Sequence, residues 1–227
     1  MRNGRTARRG MAMGALACMA ACSAVAAAKP PLSARFEVVT MEQGQGGQIT
    51  VTSKIWVKGN KVRVEAKHPF LGDLNLIADG KYIYQIAPAQ KQAMKADQSR
   101  TLGGREPWQM FVANVDQLRQ KARKVGSERI EGHLCDIYAR QDSRGGNTRS
   151  IRAWITRSLN PAMPLKVVTR VSMQRPNASI EQTTTVRMRK VELNVPLADS
   201  LFVMPAGYRI VEGTPTLPGR PGAPGMP

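Results

Sequence analysis

The sequence predicts a mainly β protein with one long helix, an α+β fold in which an amphipathic helix lies on the concave face of a curved antiparallel half-barrel sheet. Three observations carry that prediction. Only Glu106 to Gly126 repeats its apolar residues at helical spacing. Most segments between Ser33 and Asn194 read as strands, several alternating apolar and polar residues with a period of two. Gly-Asn, Asp-Gly and Pro turns separate those segments at short intervals.

In the helical stretch, Trp108, Phe111, Val112, Val115, Leu118, Ala122 and Val125 recur every three or four residues, so they form one apolar stripe. Pro107 suits a first turn and Gly126 a left-handed C-cap. Asn114, Gln117, Lys121 and Lys124 take the other side, and Arg119, Lys121, Arg123 and Lys124 crowd the C-terminal half, where the helix dipole favours cations. A lone amphipathic helix must lay its stripe on something, and a sheet is what the rest of the chain offers.

The first 28 residues read as an export signal. Arg2, Arg5, Arg8 and Arg9 make a basic n-region, Met11 to Ala28 is an uncharged Ala-rich run, and Ala26-Ala27-Ala28 is a cleavage pattern. Eighteen Ala-rich residues are too weakly apolar for a good membrane span. Arg8-Arg9 is a partial twin-arginine pattern with Ala7 where a hydroxyl residue is usual. Met19-Ala20-Ala21-Cys22 resembles a lipobox, and lipidation of Cys22 would anchor the protein in the inner or outer membrane. The expected location is the periplasm. Cleavage removes four of the 34 basic residues and none of the 16 acidic ones, leaving a charge of +14. That balance suits anionic partners such as a membrane surface, lipopolysaccharide or an acidic polymer, and export argues against nucleic acid.

From Arg35 the chain reads as a meander. Arg35 to Met41 is a first strand, and Gln43 to Gln48 is a turn. Ile49, Val51, Ile55 and Val57 then alternate with polar residues or Trp56. A two-residue Gly59-Asn60 turn sets Val57 across from Val62, Ile55 across from Val64, Trp56 across from Arg63 and Lys54 across from Glu65. Trp56–Arg63 is then a cation–π candidate and Lys54–Glu65 an exposed ion pair. Counting back from Asp79-Gly80 puts Leu76 across from Ile83 and Ile77 across from Tyr82; both sides of that hairpin are apolar, so it should be covered on both sides or line a groove. Pro88 turns the chain into Gln90–Lys95, and Gln98 to Arg105 reads as a mobile link. Further strands are expected at Ser127–Ile130, His133–Gln141, Ser150–Arg157, Leu165–Gln174 and Ile180–Asn194, with a closing edge at Leu201–Val203. Residues 29–212 form the expected domain. From Gly213 to Pro227 every third residue from Pro215 is proline, which reads as a disordered or polyproline-II tether.

No catalytic pattern stands out: there is no G-x-S-x-G, Walker loop, H-E-x-x-H or C-x-x-C, and acidic residues are scattered. Once the signal is gone, Cys135 is the sole cysteine, so no internal disulfide forms; with His133 it reads as a buried structural thiol beside an ordinary strand histidine. The reading is therefore of a non-enzyme without metal or cofactor. What remains is shape, because an apolar sheet face beneath a helix can hold an apolar ligand.

Several ordered segments resemble the periplasmic outer-membrane lipoprotein carrier (LolA-like) superfamily. They are Ile55-Trp56-Val57-Lys58, Asn60, Arg63, Leu76 to Tyr84, Pro88, Gln92-Ala93, Pro107 to Phe111, Asn114 and Phe202 to Tyr208. Residues 130–169 are closer to uncharacterised relatives of that fold. The resemblance implies an open half-barrel closed by helices, with a cavity that shelters acyl chains and no enzyme activity. On it, Ile55, Val57, Val62, Val64, Leu74, Leu76, Ile83, Trp108, Phe111 and Val115 are the expected groove residues, and Arg63 the lid latch. The partners would be lipoprotein acyl chains or lipid, and an inner- or outer-membrane envelope protein. The other reading is an envelope sensor or scaffold whose groove is filled by its own side chains and whose basic surface binds a protein or anionic polymer.

Overall fold

The computed structural model describes residues 33–70, 72–103, 107–110, 115–175 and 178–213, apart from the side chains at 108, 110 and 175. The export signal, the tail beyond 213, Phe111, Val112, Asn114 and the Trp108 side chain lie outside these residues.

Among the described residues, twelve strands make one open, curved sheet. They are β1 (Ser33–Gly44), β2 (Gly47–Lys58), β3 (Lys61–His68), β4 (Gly72–Ala78), β5 (Tyr82–Ala87), β6 (Gln92–Asp97), β7 (Arg123–Ile130), β8 (His133–Arg144), β9 (Asn147–Thr156), β10 (Pro164–Arg175), β11 (Ala178–Leu193) and β12 (Arg209–Glu212). The order across the sheet is β12-β6-β5-β4-β3-β2-β1-β11-β10-β9-β8-β7. Every pair is antiparallel except β12 with β6.

Turn chemistry fixes the first registers. Gly59 takes a positive φ of 57°, and the two-residue turn pairs Val57 with Val62, Ile55 with Val64, Trp56 with Arg63 and Lys54 with Glu65, as the sequence predicts. The β4–β5 register differs from the count by two residues: Ala78 faces Ile83, Ile77 faces Tyr84 and Leu76 faces Gln85. Asp79 widens the turn, its carboxylate accepting from the N–H groups of Lys81 and Tyr82 at 2.8 and 2.7 Å. A shift of two keeps every side chain on its expected side. Both sides of the hairpin are indeed covered. Leu76, Ala78 and Ile83 join the larger core cluster, while Ile77, Tyr84, Ile86 and Ala93 form a second one.

Among the described residues, the expected helix from Glu106 to Gly126 is seen only as short pieces. A 3-10 turn spans Pro107–Met110, α2 covers Val115–Lys121, and Arg123 already belongs to β7. Gly126 lies in that strand beside a register shift, not at a helix C-cap, and Val125 is 44% exposed. Pairing with β8 occupies the backbone groups of this stretch. Gln98–Leu102, expected to be a link, is helix α1. Asp97 caps it by accepting from the Arg100 N–H at 2.9 Å, Gly103 ends it with φ 59°, and Leu102 is buried in the larger cluster.

The chain end departs most from expectation. Leu201–Val203 is no strand; Asp199–Phe202 is a 3-10 turn, and the closing edge is β12. Between β11 and β12 the chain crosses the side of the sheet opposite Val57, Val62 and Val64, held strand by strand. Ser33 Oγ donates to the Val195 carbonyl and Lys58 Nζ to that of Leu197. Lys61 Nζ meets Asp199 Oδ1 at 2.9 Å, and Arg63 Nη1 donates to the Leu201 carbonyl at 3.1 Å. Met204 and Tyr208 then cover the second cluster. This segment is a strap across β1 to β6.

Candidate functional site

The expected groove residues fall into three groups. Ile55, Val57, Val62, Val64, Leu76 and Ile83 lie in one core cluster with Phe36, Leu102, Met163, Leu165 and Met188, each at most 2% exposed. Their strand positions alternate with Trp56, Lys61, Arg63 and Ile77, so cross-strand pairing stacks them on one side. Leu74 and Val115 are half-buried. Trp108 and Phe111 fall outside the described side chains.

The packing stops past Leu76. Leu74 and Met94 border a cavity of about 540 Å³ whose wall also includes Gln85, Ala87, Pro88 and Gln92. Leu76, Gln85 and Met94 are directly opposite one another across β4, β5 and β6, so the cavity continues the same apolar side where side chains no longer fill it. Its volume is within the roughly 300–1,000 Å³ of small-ligand sites. Of the expected groove residues, only Leu74 reaches it. The rest were hidden because Pro88, Gln92 and Met94 meet Leu74 only once three strands are in register. A second cavity of about 480 Å³ lies between the strap and the β4–β5 turn, walled by Lys61, Asp79, Tyr82, Tyr84, Phe202 and Met204.

Arg63 points away from the apolar cluster. Its guanidinium meets Glu65 at 2.8 Å and holds the strap at Leu201. The cross-strand expectations therefore yield: Glu65 takes Arg63, two residues before it on the same strand, and Arg63 leaves the Trp56 ring. The cation–π contacts found are instead Lys81 and Lys95 with Tyr82, and Lys166 with Trp154. Lys61 and Lys58 keep the Asp199 carboxyl below the usual carboxylate range.

Cys135 is fully buried, and burial pushes its thiol up from its ordinary value, as suits a structural side chain. His133 Nδ1 lies 3.1 Å from Ser158 Oγ. No group of three metal-ligating residues exists among the described residues. No described helix is long and apolar enough to cross a membrane.

The most strongly shifted group is Asp136, which holds together the end of the sheet near α2. Arg157 donates to it, Lys124 Nζ lies at 2.9 Å and Ser127 Oγ donates at 3.0 Å, so its carboxyl sits well below the usual range, chiefly because of Arg157. A depressed folded value stabilises above the unfolded pKa near 4 and is lost as pH falls below it. Asp136→Asn should lower stability by about 1–2 kcal/mol at pH 7. In denaturant melts that deficit should shrink below about pH 4, the unfolded carboxyl range; an equal deficit at pH 7 and pH 3 would contradict the charge-based account.

No family model and no curated protein matches the chain. Solved structures do resemble it. Mycobacterium tuberculosis lipoprotein LppX is 14% identical over 74% of this chain and 89% of its own, with a TM-score of 0.44. A LolA superfamily protein from Nitrosomonas europaea is 13% identical over 78% and 92%, with a TM-score of 0.36. A complex of Pseudomonas aeruginosa MucA and MucB gives 15% identity over 78% of this chain and 58% of that one, with a TM-score of 0.42. These are likenesses at low identity and low TM-score, and they are what the chain is similar to.

Proposed function

We propose that the chain is a periplasmic carrier-like protein that shelters acyl chains of lipoproteins or lipids, without enzyme activity. The observation that carries this reading is the cavity at Leu74 and Met94, which extends a filled apolar side into an unfilled one. An acyl chain entering there would lie along Leu74, Ala87 and Met94, and its polar head would remain at Asp73, Gln85 and Gln92. The buried rows from Ile55 to Ile83 are the floor that keeps this wall in place; they move aside only if the cavity lengthens on binding.

The test is titration of the processed chain with a fluorescent fatty-acyl probe, followed by competition with a di- or triacylated lipopeptide. Saturable binding displaced by lipopeptide is expected. Leu74→Glu and Met94→Glu should each weaken binding by about tenfold or more, because a carboxylate would be buried against hydrocarbon. Failure of saturating lipopeptide to displace the probe would reject the carrier reading.

A further inference from the structure

We infer that one side of β7–β11 is a docking face for an anionic lipid bilayer. The registers build it from residues far apart in sequence. One cross-strand row runs Arg123, Ala139, Arg152, Val168, Thr185, Met41. The row on one flank is Ile137, Trp154, Lys166, Arg187, Val39, and that on the other is Gln141, Ser150, Arg170, Thr183, Gln43. Because residues two apart on a strand share a side, the three rows are neighbours on one surface. Five members are cations and none is a carboxylate. Trp154, with Ile137 and Val168, packs in the larger core cluster and donates to Glu128. The part of this face open to a bilayer is therefore the exposed Arg123, Arg152 and Arg170.

Three features mark this surface as built for anions. Arg123, Arg152 and Arg170 are exposed. Lys166 stands directly across from Arg187, a like-charge pairing that the Trp154 ring, 4.3 Å from Lys166 Nζ, and Glu131, 3.9 Å from Arg187, offset only in part. Arg187 is weakly served from within: its ion pair with Glu131 is 3.9 Å long, and its buried Nε has no hydrogen-bond partner among the described residues. The cations lie on four of five adjacent strands, β7, β9, β10 and β11, a span of about 19 Å at the usual strand spacing, and over three rows. Neither of the two cavities reaches them. A cation array that is broad in two directions matches a plane of phosphates better than a single phosphate or one extended acidic strand. The surface uses none of the residues of the acyl cavity, so either reading can fail without the other.

The experiment is co-sedimentation of the processed full chain with vesicles of phosphatidylethanolamine containing phosphatidylglycerol, against neutral phosphatidylcholine vesicles. Binding to the anionic vesicles alone is expected, falling steeply as salt is raised. The double reversal Arg152→Glu with Arg170→Glu should cut the bound fraction by about tenfold or more. Arg144→Glu with Arg149→Glu, an equal charge change on the other side of β8 and β9, should leave binding within about twofold of wild type. Equal losses from both pairs would reduce the effect to net charge and overturn the assignment. Equal binding to both vesicle types, as an anchored Cys22 would give, or insensitivity to salt would do the same. The salt series uses the unaltered chain, so the outcome does not hang on the variants folding. Preferential capture by polyglutamate at matched charge would assign the surface to an acidic polypeptide instead.

Discussion

Phe202→Ala is expected to cost about 3–5 kcal/mol of stability, the range for removing a buried phenyl group. Phe202 is 1% exposed at the end of the 3-10 turn Asp199–Phe202, and it sits in the strap, not in a strand. Polar ties hold the strap on either side of it: Lys58, Lys61 and Arg63 before, and the Arg209 N–H to the Lys91 carbonyl at 2.9 Å after. Most of those side chains are solvated, so they set the path of the strap while the ring supplies its grip. The loss should therefore be local first. Hydrogen exchange in β12 should accelerate in the variant before that of β1 to β3 does. A destabilisation below about 1 kcal/mol, or uniform exchange acceleration, would show that the strap is held by its polar ties instead.

The second large effect separates two leucines on one strand. Leu76→Ala should cost about 2–5 kcal/mol, since Leu76 is 2% exposed in the larger cluster and the site cannot collapse around the missing groups. Leu74→Ala, two residues earlier on the same side, should cost under about 1 kcal/mol because it already borders open space. The order should reverse for acyl-probe affinity: Leu74→Ala weakens it, and folded Leu76→Ala retains it. Denaturant melts and probe titrations on the same preparations decide this. Loss of affinity in Leu76→Ala alone would move the ligand from the cavity into the cluster.

Much of the sheet was readable in the sequence because its cues are local. Gly59-Asn60 between alternating valines determines a register by counting, and the apolar pairs Leu76/Ile77 and Ile83/Tyr84 announce a hairpin covered twice. Arg123–Gly126 misled because Val125 fits a helical stripe and a strand equally well, and the choice went to β8, a partner that only the folded chain supplies. Helix α1 is five residues long, too short for periodicity, although Asp97 and Gly103 bracket it as cap residues. The hold of Arg63 on Leu201 spans 138 residues, and β12 makes sense only beside β6. The cavity and the basic rows share that invisibility, since each is a product of register between strands that no short window contains.

The strand order also has a consequence for how the polypeptide reaches its final state. β1 is the seed of the meander, yet its other neighbour is β11, and the Arg35–Glu192 contact closes a loop of 157 residues. Until nearly all of the chain has emerged, that middle strand carries a bare row of amide and carbonyl groups that any stray extended segment can pair with. Such distant pairing makes assembly slow. Fragments that end before residue 178 should accordingly clump, while the complete chain refolds; the time spent unfinished, more than the finished stability, is where this fold is exposed.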